Sequence, residues 1–158
     1  METKIQNRGT GAGGCNTNKN GLSYEDLTSL NQDMDFILTN EIIFSKKKKI
    51  KEIKFSNFEN EFLLLHKNLL FKYLIPKNKI ILASGCKSPD EVYLNESEKK
   101  LFIIEKKFQQ TSGSVDEKIQ TGVFKKFHFS EIFPDYTIEY AYCLSDWFKK
   151  KENKSVLK

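Results

Sequence analysis

Pro89-Asp90-Glu91-Val92-Tyr93-Leu94-Asn95-Glu96-Ser97-Glu98-Lys99-Lys100-Leu101-Phe102-Ile103-Ile104-Glu105-Lys106-Lys107 is the stretch whose reading decides the fold of this chain. Two apolar runs, 90–95 and 101–107, flank the polar stretch Glu96-Ser97-Glu98-Lys99, the pattern of two strands around a turn. If Asn95 pairs with Lys100, the register sets Asp90 opposite Glu105. Strand side chains alternate between faces, so Glu105 and Lys107 share one face. That face reads Asp90, Val92, Leu94 on one strand and Leu101, Ile103, Glu105, Lys107 on the other, with its charges gathered at one end. The opposite face carries Tyr93, Phe102 and Ile104. A hairpin apolar on both faces belongs in the middle of a sheet.

Two carboxylates and a lysine at the end of a buried face require a physical reason, because unpaired buried charge is expensive. A divalent cation between Asp90 and Glu105 offsets their repulsion, and hard oxygen donors suit Mg²⁺, as one ion or two. Such a site activates water and stabilises charge on a phosphorus-centred transition state. Lys107 beside it would orient the water or neutralise developing negative charge. The plainer alternative for the same three residues is a cross-strand salt bridge on a solvated sheet. Spacing alone does not separate the two. Pro134-Asp135 followed by Glu152-Asn153-Lys154 repeats the pattern, but its Glu152 lies in a lysine-rich tail. Glu98-Lys99-Lys100 repeats part of it inside the turn.

Outward from the hairpin, residues 1–20 are polar and glycine-rich and read as a flexible arm. A helix is predicted from Leu22 to about Asn31. Residues 36–58 read as short strands around the basic run Lys46-Lys47-Lys48-Lys49. Glu61 to Tyr73 fits either a helix or a buried strand pair, and Ile80-Ile81-Leu82-Ala83 reads as a short strand. Ser114-Val115-Asp116-Glu117 has the form of a capping box, opening a helix with Val115, Ile119, Val123 and Phe127 on one stripe. Thr137 to Ser145 alternates as a strand. Trp147 and Phe148 read as core, and residues 151–158 form a charged tail. The expected organisation is one domain over 21–150, of α/β class, with a mixed central sheet flanked by helices.

The 158 residues suffice for a real core. A net charge of +5 and a pI near 9.0 are compatible with a polyanion partner. All basic residues but Arg8 are lysine, a compositional skew that weakens any argument from lysine counts. Cys15, Cys86 and Cys143 are odd in number and widely spaced, so neither a zinc site nor a disulfide framework is expected. They point to a reducing, cytoplasmic compartment. His66 and His128 are isolated and read as packing or surface residues. No apolar run is long enough to span a membrane, and the N-terminus lacks the pattern of a signal peptide. Gly9-x-Gly11-x-x-Gly14 matches a dinucleotide fingerprint, yet it has no preceding strand and no helix directly after it.

Pro89-Asp90 with Glu105-Lys106-Lys107 closing an apolar strand resembles the PD-(D/E)XK nuclease motif. Three further segments resemble a group of small type II restriction endonucleases: Gly11-Ala12-Gly13-Gly14-x-Asn16-Thr17-Asn18-x-Asn20-Gly21-Leu22-x-Tyr24-Glu25, Gly85-Cys86-Lys87-Ser88-Pro89-Asp90-Glu91 and Gly113-Ser114-Val115-Asp116-Glu117-Lys118. The resemblance implies a restriction-endonuclease-like core and Mg²⁺-dependent hydrolysis of double-stranded DNA. Asp90, Glu105 and Lys107 would be catalytic. Asp90, Glu105 and the Lys106 backbone carbonyl would hold the metal, with support from Glu25 on the first core helix. A restriction enzyme implies a homodimer and a cognate DNA methyltransferase. Arg8, Asn16, Asn18 and Gln120 are candidate DNA contacts; the arm that carries the first three reads equally as a plain disordered terminus. Gln109 and Gln110 are candidate substrate contacts or ordinary surface residues. The alternatives are a repair or junction nuclease of the same fold, and a catalytically inactive, truncated DNA-binding protein.

Overall fold

The computed structural model describes residues 23–30, 35–45, 48–78, 80, 82, 86–109 and 115–150. A short helix α1 spans residues 23–27. Strands β1 (Phe36–Ser45), β2 (Lys48–Phe55) and β3 (Glu61–His66) follow, then helix α2 (Leu69–Asn78). The hairpin β4 (Glu91–Asn95) and β5 (Lys100–Lys107) comes next. Helices α3 (Val115–Gln120) and α4 (Gly122–Ile132) lead to β6 (Thr137–Leu144) and a 3₁₀ turn, Asp146–Lys149. The six strands form one sheet in the order β1-β2-β3-β4-β5-β6. All neighbours are antiparallel except β5 and β6, which run parallel and are joined through α3 and α4. This is the mixed, helix-flanked α/β architecture that the sequence implied.

The hairpin register is the expected one. Asn95 pairs with Lys100 and Glu91 with Ile104, so the next step of the ladder sets Asp90 against Glu105. Asn95 closes the turn, its Oδ1 accepting from the Ser97 hydroxyl at 2.8 Å and the Glu98 backbone N–H at 3.0 Å. Lys99 leaves the turn at φ 53°, in the left-handed region. Both faces are covered. Val92, Leu94, Leu101 and Ile103 join a core completed by α2 and α4 through Leu70, Phe71, Leu74, Phe129 and Ile132. Tyr93 packs on the other face with Ile53, Phe55, Phe62 and Leu64, flanked by Leu30, Phe102 and Ile104.

Three expectations are corrected or resolved. Residues 61–73 divide into a strand and a helix, β3 and the start of α2. Phe62 to Leu65 is buried on both faces, and Lys67 at φ 51° turns the chain. The strand expected over Ile80–Ala83 is not seen at Ile80 or Leu82, which lie outside any strand and pack instead on the α2-side core; Ile81 and Ala83 lie outside the described residues. The single helical stripe is interrupted. Ile119 is buried, but Val123 and Phe127 are 84% and 59% exposed. A break at Thr121 separates α3 from α4 and re-aims the second helix, which buries Phe129 and Ile132. Gly122 permits the close approach: a Cβ there would sit 2.8 Å from the Tyr142 ring. The proposed cap residue Ser114, the arm over 1–20 and the tail over 151–158 lie outside the described residues. Trp147 and Phe148 are core, as expected, packed with Ile119.

Candidate active site

Asp90 enters β4, and Glu105 and Lys107 close β5. The Lys106 backbone N–H donates to Asp90 Oδ2 at 2.8 Å, which fixes that carboxylate against the strand end. Lys107 Nζ then meets three oxygens: Glu105 Oε2 at 2.7 Å, the Lys106 carbonyl at 3.2 Å and Asp90 Oδ2 at 3.5 Å. One ammonium touching both carboxylates means that they converge on a common point. Burial alone would raise the Glu105 carboxyl, but the ammonium groups of Lys107 and then Lys125 outweigh it and hold it below the usual carboxylate range. Burial likewise opposes the Lys107 charge, and Glu105 and then Asp90 overcome it, keeping this lysine protonated.

The donor set around Lys107 Nζ fits a hard divalent cation: two carboxylates and a peptide carbonyl already surround a positive charge. Among the described residues no three His, Cys, Asp or Glu side chains gather as a metal cluster. A bound ion would therefore also draw on carbonyl, water or substrate oxygens.

Helix α4 adds a residue that sequence reasoning missed. Lys125 Nζ lies 3.0 Å from Glu105 Oε2. Nothing in the spacing marked it, because the break at Thr121 decides which side of α4 faces the sheet. A cavity of about 330 Å³ opens beside Glu105 and Lys125, lined also by Lys87, Thr121, Phe124 and His128. The His128 ring stacks on Phe124, in line with its reading as a packing residue. The Tyr140 hydroxyl is buried on the same side of the sheet; burial, then the Glu105 charge, pushes its ionisation above the usual phenol range.

The opposite face of the same strand end holds a second feature that the sequence reading passed over. Lys106 Nζ pairs with Glu91 Oε2 at 2.5 Å, with side-chain exposures of 3% and 0%. It also donates to the Glu25 carbonyl at 2.7 Å. Glu91 accepts from the Ser29 hydroxyl at 2.6 Å, from the Leu30 backbone N–H at 3.2 Å and from the Tyr93 phenol. Burial would raise the Glu91 carboxyl, but these donors, Lys106 first, hold it low. The signal was present: Asp90-Glu91 and Glu105-Lys106-Lys107 are consecutive charges, so alternation must send some of them to each face.

The remaining candidates fall apart in space. Glu25 turns its carboxylate toward Lys67 Nζ at 3.5 Å, and it is its backbone carbonyl that reaches Lys106. Gln120 ends α3 and is exposed. Gln109 is buried, which removes it from the surface; its backbone N–H and carbonyl both bond the Ser145 hydroxyl, at 3.0 and 2.8 Å. Arg8, Asn16, Asn18 and Gln110 lie outside the described residues. Cys86 and Cys143 are free thiols. No helix among the described residues is long and apolar enough to cross a membrane.

A family model described as a PD-(D/E)XK nuclease superfamily domain matches residues 30–121, more than half of the chain. No curated protein and no solved structure matches it. The matched segment contains Asp90, Glu105, Lys106 and Lys107, and nucleases of this superfamily generally use divalent metals. With the mixed sheet and the convergent strand end, the match assigns the chain: it belongs to the PD-(D/E)XK nuclease superfamily.

Proposed function

We propose that this nuclease is a Mg²⁺-dependent endonuclease that hydrolyses phosphodiester bonds in double-stranded DNA, as a type II restriction enzyme. The observation that carries the metal and catalytic assignments is the convergence of Asp90, Glu105 and the Lys106 carbonyl on one cationic point. The restriction assignment rests on the resemblance of the segments around Gly11–Glu25, Gly85–Glu91 and Gly113–Lys118 to small restriction endonucleases.

In this reading Asp90, Glu105 and the Lys106 carbonyl hold Mg²⁺. A bound ion supplies Lewis acidity toward the scissile phosphate and lowers the pKa of water. Lys107 orients the attacking water and offsets negative charge as it develops on the phosphate. Lys125, the second ammonium on Glu105, faces the cavity and meets the incoming anionic backbone. Arg8, Asn16, Asn18 and Gln120 contact DNA, and Glu25 supports the site from α1 through its backbone carbonyl, which accepts from Lys106. Cutting both strands calls for a homodimer, and protection of host DNA calls for a cognate methyltransferase.

The test is incubation of the protein with plasmid DNA and Mg²⁺, beside Asp90→Ala and Lys107→Ala. Discrete fragments from wild type alone support restriction. Unspecific or junction-only cutting assigns the chain to another kind of nuclease of this fold. DNA binding with no Mg²⁺-dependent cutting overturns the enzyme reading.

A further inference from the structure

Lys106 serves the reaction centre through its backbone. Its N–H fixes Asp90 at 2.8 Å, and its carbonyl is one of the three oxygens around Lys107 Nζ. Its side chain leaves through the other face of the sheet and ends on Glu91 and the Glu25 carbonyl. The surroundings there are apolar: Tyr93, Phe102 and Ile104 occupy the same face. A pair of hydrophobic residues in such a place is commonly as stable as an ion pair, or more so. Stability therefore does not account for the choice of residues. Geometry does. The Lys106 ammonium has two acceptors in fixed positions, and turning it away from either leaves a desolvated polar group unmatched.

We propose that Glu91 and Lys106 are positioning residues: a buried ion pair on the closed face that holds the Lys106 peptide in the one setting that aims its N–H at Asp90 and its carbonyl at the cation point. This rests on the reading of Asp90 and Glu105 as metal ligands given above. The clamp extends to residues 25–30, because the Glu25 carbonyl, the Ser29 hydroxyl and the Leu30 N–H all bond the pair. The pair thereby ties α1 and the residues after it to the strand end, although the Glu25 carboxylate is turned toward Lys67.

The experiment titrates Mn²⁺ into the DNA-free full chain and reads free Mn²⁺ by electron paramagnetic resonance, with a thermal melt on each variant. The double variant Glu91→Met/Lys106→Met removes both charges together. It is expected to melt close to wild type and to bind Mn²⁺ about 10- to 100-fold more weakly, the usual effect of losing an outer-shell support. Ser29→Ala removes one hydrogen bond to Glu91 and leaves both charges in place; a several-fold weakening is expected. A folded double variant with wild-type Mn²⁺ affinity overturns the proposal. If the double variant does not fold, Ser29→Ala decides, and unchanged Mn²⁺ affinity there overturns it. An Asp90→Ala protein that binds Mn²⁺ as wild type does overturns the underlying site reading, a result separate from either of these.

Discussion

On the open face of the β4–β5 hairpin, Lys107, Asp90 and Glu105 keep 18%, 19% and 7% of their side chains in solvent. On the closed face, one residue away along each strand, Lys106 and Glu91 keep 3% and 0%. Both faces join lysine to carboxylate, yet their partners differ. Glu91 is surrounded by donors on residues 29, 30, 93 and 106, so its demand for hydrogen bonds is met within the protein. On the open face the carboxylates meet lysine ammonium groups beside a cavity, where water and ions have access. Ion pairs of the first kind hold structure. Those of the second kind can exchange partners, which a reaction centre requires.

The largest effect should come from breaking the closed face on one side only. Glu91→Leu leaves Lys106 buried and unpaired and should cost about 3–5 kcal/mol of stability in urea unfolding. A loss below about 1 kcal/mol, the range of an exposed pair, would erase the distinction between the faces. On the open face Lys107→Ala should cost less stability than Glu91→Leu, because Lys125 still faces Glu105, and should lower the DNA cleavage rate by about 10²–10³-fold, the usual result of deleting one transition-state charge stabiliser. A large drop in stability with little change in rate would reverse the assignment of the two faces.

Acid sharpens the comparison. The Glu91 and Glu105 carboxyls both titrate below their usual value of 4.5 in the folded protein. At pH below that value the unfolded chain binds more protons than the folded one, so stability is complete above it and falls as pH drops through the depressed folded values. Thermal melts of wild type at falling pH should show this decline. Glu91→Met/Lys106→Met should show a shallower one, because one of the two depressed carboxyls is gone. The smallest effect is expected at the solvent-exposed pair Lys126–Glu139, 3.3 Å apart on α4 and β6. Lys126→Ala should change stability by no more than about 1 kcal/mol.

The hairpin was legible in the sequence because alternation on a strand buried on both faces leaves one register in which the apolar sets align. Asp90, Glu105 and Lys107 were brought together on that basis, and the geometry of the strand end agrees. The same alternation sends Glu91 and Lys106 to the opposite face, but it does not pair them, since Glu91 stands against Ile104 in the register and Lys106 reaches it diagonally. Lys125 was illegible, since its position depends on a helix break at Thr121 that the continuous apolar stripe concealed. Residues 61–73 were ambiguous because a continuous apolar run has no periodicity to separate strand from helix. Only tertiary packing, with Phe62 to Leu65 in mid-sheet and Leu70 to Leu74 against it, resolved them.

The seat of Lys107 among three oxygens has a consequence for handling the protein. With its ammonium there, the fold carries its own counter-ion, and the repulsion between Asp90 and Glu105 is neutralised without any added salt of a divalent metal. Small zinc-stabilised domains lose their structure to a chelator because the metal is part of their folding energy. Here a chelator should silence the protein and leave it folded, ready to resume once the ion is returned.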